Sequence, residues 1–400
     1  MAANREVAST FDAGVPAHVP PELVFDFDFG GDAELQREPH AKALSLHAEA
    51  PEIFFTPRYG GQWMVRSLEA ARAVSQSPKL FQSDGGQPVV QIPIGLDAPE
   101  HDFFRNVLLA AFAPKAILPL RDSITKLTNE LIDAVIEKGE CEFMETIASR
   151  LPVWVFMKFA GLPLDQHEYL RGLTMEFLRE ADPKKREPVR DEVLLATAKV
   201  IRARQADPQD DMISRLIHAE FNGRRITFDE MQSICLFFVL AGLDTVTSAL
   251  GFGFHYLAKD ADLQRRMRSE PGLLDSAAEE LLRVGAPSSV ARYAAQDMEF
   301  RGVRFKQGDR VHILYPAANV DPEHFHDPRA VNLDQEEPNV AFGTGPHRCL
   351  GSHLARLEMR ILYVEWLRRI PQFRVDPEKP VVYHAGLVWG VDELHLKWEP

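Results

Sequence analysis

The sequence predicts a mainly α-helical protein with small β-sheets, folded as a single domain over residues 1–400. Helical periodicity dominates from about Ser67 to Glu270, whereas strand-like segments follow only after Gly272. Strands and helices do not alternate, which excludes a doubly wound parallel sheet. No low-complexity linker divides the chain, and its 45% of hydrophobic residues can form a large core.

The individual elements follow from apolar spacing and from turn residues. An irregular N-terminal arm precedes a short helix near Glu34 to Ala50. The strand-like segments MEFRGVRF and DRVHILY flank a turn at Lys306 to Asp309, and a β region, Arg374 to Trp398, ends the chain. The predicted longer helices are Leu68–Ser77, Pro99–Phe112, Ser123–Glu137, Glu145–Ala160, His167–Arg179, Asp191–Ala206, Phe228–Leu257, Asp275–Val284 and Ser352–Ile370.

Composition limits the class of protein. Three cysteines, Cys141, Cys235 and Cys349, are too few for a disulfide framework, which indicates a reducing cytoplasm. The N-terminus resembles neither a secretory signal nor a membrane anchor, and the apolar run from Ile234 to Leu243 is too short to span a bilayer. A formal net charge of −14 disfavours nucleic acid as a partner. We therefore expect a soluble, cytoplasmic protein.

One cysteine stands in a loop of unusual composition, FGTGPHRCLGSHLAR, from Phe342 to Arg356. Gly343, Gly345 and Gly351 permit backbone geometry that other residues avoid, and they allow close approach to a flat ligand. A helix is predicted directly after Cys349, and its unpaired amides favour a thiolate over a thiol. An anionic sulfur is a good metal ligand.

Three interpretations of Cys349 compete: a buried apolar side chain, a zinc ligand with His347 and His353, or the axial ligand of a haem. The zinc interpretation lacks an obvious fourth ligand. The pattern F-G-x-G-x-H-x-C-x-G closely resembles the haem-binding loop of the cytochrome P-450 haem-thiolate monooxygenases. The residues that fill this pattern are Phe342, Gly343, Gly345, His347, Cys349 and Gly351. The resemblance implies haem b held between this loop and a long central helix.

A second matching segment is AAEELLRVGAP, in which Glu280 and Arg283 share one helix face. Taken alone, such a pair is usually a solvated surface contact that contributes about 0.2 to 0.5 kcal/mol. Its position before the cysteine loop resembles the ExxR motif of the family. The resemblance implies a structural role behind the haem.

A third matching segment, Ala241 to Thr245, interrupts an apolar helix. Gly242 costs roughly 1 kcal/mol relative to Ala in a helix interior, and Asp244 is polar in an apolar run. In isolation these residues would indicate a kink or a packing glycine. The segment resembles the A-G-x-D-T pattern above the iron, which implies that Gly242 makes room for dioxygen. Thr245 would hydrogen-bond the bound oxygen, and Asp244 would supply protons.

Four basic side chains resemble the residues that bind the haem propionates. His101 and Arg105 are spaced i, i+4 on one helix face, and Arg292 and His347 occupy further matching positions. Each alone would be an ordinary surface residue. Buried carboxylates require cations or several hydrogen bonds, so together these four residues suit the two propionates.

Within the family the sequence most resembles the soluble bacterial camphor hydroxylases, through segments such as LDTV, CLGSHLAR and GLVWGV. In those enzymes a tyrosine donates a hydrogen bond to the camphor ketone. This chain has Val89 at the corresponding position. We therefore expect a larger terpenoid or norisoprenoid ketone. The substrate-contacting positions implied by the resemblance are Val89, Phe237, Leu240, Gly242, Val290, Leu387 and Val388.

The implied reaction inserts one atom of dioxygen into a C–H bond. The sequence shows no flavin or nicotinamide fingerprint, so we expect electrons from a [2Fe-2S] ferredoxin that an NADH-dependent reductase reduces. A basic patch for that partner is predicted from Arg72, Lys79, Lys115, Arg348 and Arg356, although these could equally be scattered solvated charges. The alternatives are a peroxide-driven peroxygenase and a haem- or zinc-binding protein without enzymatic activity.

Overall fold

A computed structural model describes residues 14–86, 90–180, 183–221 and 223–399. Helices dominate these residues, which confirms the mainly α-helical prediction, whereas the single domain over residues 1–400 stays a prediction. The helices are α1 (Pro39–Glu49), α2 (Leu68–Ser75), α3 (Glu100–Ala111), α4 (Pro114–Ile117), α5 (Arg121–Asp133), α6 (Arg150–Ala160), α7 (His167–Arg179), α8 (Pro183–Ala206), α9 (Met212–His218), α10 (Phe228–Gly242), α11 (Thr245–Ala258), α12 (Ala261–Ser269), α13 (Leu274–Val284), α14 (Tyr315–Ala318) and α15 (Ser352–Arg369).

The strands form small sheets. The largest has the order β1-β2-β10-β7-β3, in which only the β2–β10 pair is parallel. A second sheet has the order β11-β14-β4, and three two-stranded pairs are β5–β6, β8–β9 and β12–β13. The strands are β1 (Ile53–Thr56), β2 (Gln62–Val65), β3 (Phe81–Gln82), β4 (Glu140–Glu142), β5 (Glu220–Phe221), β6 (Arg224–Arg225), β7 (Val290–Ala294), β8 (Met298–Phe300), β9 (Val303–Phe305), β10 (Arg310–Ile313), β11 (Phe373–Val375), β12 (Val382–His384), β13 (Gly390–Glu393) and β14 (His395–Trp398).

The expectation that strands begin only after Gly272 is wrong, because β1 to β6 all precede that residue. Strands β1 and β2 pair with each other, and β2 pairs with the much later β10. Every residue of both early strands is buried. Because both faces are covered, these strands lack the apolar–polar alternation by which a half-exposed strand is recognised.

Helices α10 and α11 form the centre of the core. Thr227 caps α10 by accepting a hydrogen bond from the Glu230 amide, and the Glu230 carboxylate accepts one from the Thr227 amide. The stretch Phe228–Ala258 is long and apolar enough to cross a bilayer, but 72% of its apolar window is buried inside the protein. The segments Glu100–Ala111 and Pro114–Lys138 are joined at a bend, and they are long and apolar enough to cross a bilayer only if they are counted as one helix. Burial by other helices identifies Phe228–Ala258 as a core element.

A buried ion pair ties α13 to the loops that follow α14. Arg283 is 1% exposed, and its Nε and Nη2 donate to the two carboxylate oxygens of Glu280 at 2.8 and 2.9 Å. The same guanidinium donates at 2.7 to 2.8 Å to the backbone carbonyls of Asn319, Pro328 and Ala330. The Glu280–Arg283 pair therefore lies in the interior and organises backbone far from it in sequence.

Replacing Arg283 by Ala is expected to lower the free energy of unfolding by about 3 to 5 kcal/mol, because Glu280 would stay buried without its partner. Urea denaturation measures this change. The matched control is Arg360→Ala, whose 2.7 Å pair with Asp275 is largely exposed and should cost below about 1 kcal/mol. Equal losses for the two variants would contradict the structural role of the buried pair.

Candidate active site

A large cavity lies between the junction of α10 with α11 and the loop that precedes α15. It contains about 1450 Å³ free of protein atoms, part of it open to solvent. The loop contributes Phe342, Gly343, His347, Cys349, Leu350 and Gly351 to its walls. The central helices contribute Phe237, Phe238, Ala241, Gly242, Thr245 and Val246. The cysteine loop and the interrupted helix thus face one space.

The cysteine loop is closed by its own backbone and held against α2. The Cys349 amide donates to the Phe342 carbonyl at 2.9 Å. Gly343 and Gly345 adopt φ angles of +66° and +73°, a region that favours glycine. A Cβ at Gly345 would lie 2.3 Å from the Ser75 carbonyl oxygen, so a side chain there would push the loop away from α2. The two glycines therefore fix where the cysteine stands.

The Cys349 side chain lines the cavity, so it has accessible surface although it lies deep among protein atoms. Burial raises the pKa of its thiol, while the Gly351 amide and the guanidinium groups of Arg105, Arg356 and Arg348 oppose that rise. The amides at the start of α15 therefore favour the thiolate, as predicted, but burial raises the thiol pKa by more than they lower it. A bound metal cation would add the positive charge that an anionic sulfur needs.

The zinc interpretation of this loop receives no support. Within the described ranges, no group of three or more His, Cys, Asp or Glu side chains is placed to hold a metal ion. His353 is exposed on α15 and is not part of the cavity wall. The Nε2 atom of His347 is hydrogen-bonded to the Ser83 hydroxyl at 3.0 Å.

The four basic residues of the propionate prediction come together at one edge of the cavity. The rings of His101 and His347 lie 4.1 Å apart between centroids. Arg105 and Arg292 line the cavity, and neither forms an ion pair with a carboxylate of the described residues. Each instead donates to a backbone carbonyl, Arg105 to that of Arg348 at 2.5 Å and Arg292 to that of its neighbour at 2.7 Å.

Electrostatics leave this cluster in need of a negative partner. Burial lowers the pKa of both Arg105 and Arg292. Burial, followed by the charges of Arg292, His101 and Arg105, lowers the pKa of His347 to about 2. The Nε2 atom of His101 is buried without a hydrogen-bond partner. A ligand that brings carboxylates to this edge would satisfy all these groups.

The residues present fit haem b. The thiol of Cys349 offers an axial ligand, the apolar walls suit a porphyrin, and the basic cluster offers partners for two propionates. The unpartnered Nε2 atom of His101 offers a further hydrogen bond at the same edge. These observations favour a haem site over a buried structural cysteine.

The central helix breaks where it passes the cavity. Asp244 adopts non-helical angles, with φ −136° and ψ −30°, and separates α10 from α11. The Thr245 hydroxyl donates to the Ala241 carbonyl at 2.8 Å, which satisfies an acceptor freed by the break. A Cβ at Gly242 would lie 2.4 Å from the Phe156 ring, so only glycine fits there without a shift. The break leaves Thr245 on the cavity wall.

Asp244 and Thr245 face different spaces although they are adjacent. Thr245 lines the large apolar cavity, whereas Asp244 lines a smaller polar cavity on the other side of the break. Asp244 is 3% exposed, and its charge raises the pKa of nearby Arg171, although burial lowers that pKa more. The two residues could therefore pass a proton from the polar side to the apolar side.

The structure brings only some of the implied substrate positions to the cavity. Phe237, Gly242 and Val290 line it. Leu240, Leu387 and Val388 do not line it. Val89 lies outside the described residues. Phe237 and the cavity residues that follow it on α10, Phe238, Ala241 and Gly242, are spaced so that they share one side of the helix.

Three polar cavity residues were missed from the sequence: Ser288, Tyr315 and Glu358. Ser288 lines the cavity just before β7. Glu358 lies on α15, is 1% exposed, and has one carboxylate oxygen without a partner. Burial raises the pKa of Glu358 well above its usual range. A glutamate on a helix ordinarily indicates a solvated face, so its sequence gives no sign of this burial.

Comparison with known proteins agrees with this fit. The family model described as Cytochrome P450 matches residues 119–384. A Sinorhizobium fredii protein named "Probable cytochrome P450 127A1" is 35% identical and covers 96% of this chain and 97% of its own. A Mycolicibacterium smegmatis protein named "Steroid C26-monooxygenase" is 33% identical and covers 84% of this chain and 87% of its own.

Solved structures agree in fold. The crystal structure of CYP101J2 matches with a TM-score of 0.87 and 33% identity over 97% of this chain and 100% of that chain. The crystal structure of cytochrome P450 CYP101C1 has the same TM-score and coverages at 28% identity. Both are consistent with the predicted likeness to the bacterial camphor-hydroxylase class. Proteins of the matched family bind haem b through a cysteine thiolate, the cofactor that the sequence predicted. The chain belongs to the cytochrome P450 family of monooxygenases.

Proposed function

We propose that this monooxygenase hydroxylates a C–H bond of an apolar terpenoid or norisoprenoid ketone, with dioxygen and with electrons from a ferredoxin. The observation that carries the proposal is that Cys349 and Thr245 face the same apolar cavity, one from the loop and one from the helix break. A thiol alone would be enough for a protein that only binds haem. A hydroxyl beside a buried acid adds a means of proton transfer, which a binding protein does not need.

Haem, when bound, supplies dioxygen activation, while the protein supplies orientation, protons and exclusion of water. Cys349 is the iron ligand. Arg105, Arg292, His101 and His347 hold the propionates by charge and hydrogen bonds. The apolar walls keep bulk water away from the reacting carbon.

Thr245 and Asp244 form the proton supply. The Thr245 hydroxyl donates its proton to the Ala241 carbonyl and must turn from that carbonyl to give the proton to the cavity. The Asp244 carboxyl replaces that proton from the polar side of the helix break. A peroxide-driven enzyme would not require this pair, because peroxide brings its own protons.

The cavity suits a bulky apolar molecule that carries one polar group. Phe156, Phe237 and Val290 form part of its walls. Ser288 has no hydrogen-bond partner among the described residues, so its hydroxyl is available to a ketone. One relative is named for its action on a steroid, a largely apolar carbon skeleton.

The partner is proposed to be a [2Fe-2S] ferredoxin reduced by an NADH-dependent reductase. Lys79, Lys115 and Arg348 are exposed and form no ion pair within the described part of the chain. Arg72 pairs with Glu337 at 2.6 Å, and Arg356 pairs with Glu279. The charge available to an acidic partner therefore comes mainly from the first three residues. Leu118, 55% exposed, adds an apolar contact close to Lys115 in sequence.

A cytoplasmic location is proposed on two grounds. All three cysteines are free thiols, as expected in a reducing compartment. The second ground is the proposed electron supply, because we place the ferredoxin and its reductase in the cytoplasm.

Replacing Thr245 by Ala should uncouple turnover, because the hydroxyl that holds the proton is lost. With NADH, ferredoxin and reductase, we expect product per NADH to fall about tenfold or more while peroxide rises, in keeping with the usual 10²–10⁴ contribution of acid–base groups. Thr245→Ser keeps a hydroxyl and should stay coupled. Unchanged coupling in Thr245→Ala would favour the peroxide-driven alternative.

Titration with the norisoprenoid ketone β-ionone should displace water from the iron and change the spin state. Replacing Ser288 by Ala should weaken this binding about 2- to 12-fold, the equivalent of one net hydrogen bond of about 0.5–1.5 kcal/mol. Binding of the corresponding hydrocarbon without the ketone should not change. A spectral response to small polar compounds alone would rule out the proposed substrate class.

Reversing one charge of the proposed docking surface should weaken ferredoxin binding. We expect Lys115→Glu to raise the KM for ferredoxin about tenfold at low ionic strength, and less in high salt. Lys379→Glu, the same charge change in the C-terminal β region, is the control. If both variants behave alike, the surface is not the docking site.

A further inference from the structure

A second cavity lies behind the junction of α10 and α11, on the side that Asp244 faces. It contains about 500 Å³ free of protein atoms. Its walls come from the π-helical turn at Met144–Ala148, from α7, from the start of α11, and from the β12–β13 hairpin. Unlike the large cavity, it is lined mainly by charged and hydroxyl-bearing side chains.

Four buried polar atoms on these walls have no hydrogen-bond partner. They are Arg171 Nε, Arg179 Nε, Thr247 Oγ1 and His384 Nε2. Buried polar groups nearly always bond to protein or to ordered water. Because the space beside these atoms has room for several waters, a small movement of the walls would let water satisfy them.

His384 is held in one orientation. Its Nδ1 atom lies 2.9 Å from Asp392 Oδ1, and the Arg179 guanidinium contacts both residues. Burial raises the pKa of Asp392, but the His384 hydrogen bond and the Arg179 charge bring it below its usual value overall. An ionised carboxylate only accepts hydrogen bonds, so the 2.9 Å contact with Asp392 favours a proton on Nδ1 over the longer, 3.3 Å contact with the Arg179 Nη2 donor. The proton that can exchange is therefore the one at Nε2.

A glycine makes room for this imidazole. A Cβ at Gly390 would lie 2.3 Å from His384 Cε1 and 2.7 Å from the Ser248 hydroxyl oxygen. The missing side chain lets the His384 ring approach the first turn of α11. Ser248 follows Asp244 by one helical turn, and its amide donates to the Asp244 carbonyl at 2.9 Å.

The polar cavity connects solvent with the buried acid. At its outer end, Glu145 is exposed, and the side chains of Arg179 and Asp392 are 32% and 29% exposed. At its inner end, Asp244 is 3% exposed, with the charge of Arg171 nearby. His384, 9% exposed, lines the same cavity. The charged residues that line the cavity together with His384 are Glu145, Arg171, Arg179, Asp244 and Asp392.

We propose that His384, oriented by Asp392, is the proton-uptake residue of this cavity and relays protons through its water to Asp244. This inference rests on the proposed function for the role of Asp244. A proton passes from solvent water to Nε2, from Nε2 to cavity water, and then to a carboxylate oxygen of Asp244. Nε2 is reprotonated from solvent, and no electron moves. Imidazole suits this task because it gains and loses protons near neutral pH.

The first test follows the imidazole itself in the intact, reduced and carbon-monoxide-bound protein. Nitrogen-15 NMR, assigned by the loss of signals in His384→Gln, should show Nδ1 protonated throughout and the Nε2 proton exchanging with solvent, as a residue that takes up and passes on protons requires. A ring whose Nε2 proton does not exchange, or that carries none, would overturn the relay. This readout does not depend on turnover.

The second test measures coupling with β-ionone as the probe. His384→Gln keeps a hydrogen-bonding side chain but cannot titrate. We expect product per NADH to fall about three- to tenfold, less than the 10²–10⁴-fold typical of an acid or base at the reacting atoms, because His384 acts through Asp244. The solvent deuterium isotope effect should increase. Product formation driven by added peroxide should stay within about twofold, because peroxide brings its protons. The control, His395→Gln, changes a partly exposed histidine on β14 and should leave coupling unchanged.

The outcomes separate this inference from the function on which it rests. A wild-type protein that forms no product with ferredoxin would contradict the proposed function, while the NMR measurement would still decide the state of His384. A coupled wild type together with an equally coupled His384→Gln variant would reject the relay alone. Asp392→Asn, which removes the carboxylate that fixes the tautomer, should lower coupling in the same direction as His384→Gln.

Discussion

The fixed position of one sulfur atom is the constraint on which the rest of the structure depends. A chain of hydrogen bonds connects the buried ion pair of α13 to the cysteine loop. Arg283 donates to the Asn319 carbonyl, the Asn319 side chain accepts from the Val340 amide at 2.8 Å, and the Val340 carbonyl accepts from the Gly343 amide at 2.8 Å. Cys349 thus takes its position from residues far away in sequence, and α15 begins directly behind it.

The break in the central helix separates an apolar cavity from a polar one. On one side, Thr245 faces an apolar cavity in which binding depends on shape and on the removal of water. On the other side, Asp244 faces a polar cavity with unpartnered donors and a route to solvent. Adjacent residues therefore line two different cavities, and in the proposed function protons pass between them without bulk water entering the apolar side.

Local motifs predicted more of the site than of the surrounding fold. The cysteine loop and the segment around Gly242 are short and carry their own backbone requirements, so sequence alone indicated them. Strands β1 and β2 were missed because their partner β10 is distant and both faces are buried. Glu358 and the His384–Asp392 pair were missed because burial depends on tertiary packing, which helix or strand spacing does not report.

The central claim is that the Cys349 sulfur binds haem iron as a thiolate. The carbon monoxide difference spectrum of the reduced protein tests it most directly. The account predicts a strongly red-shifted Soret band in the wild type and in Cys141→Ser, a change at a cysteine away from the cavity. It predicts loss of that band in Cys349→Ser. A red-shifted band that persists in Cys349→Ser, or that is absent from the native wild type, would contradict the account.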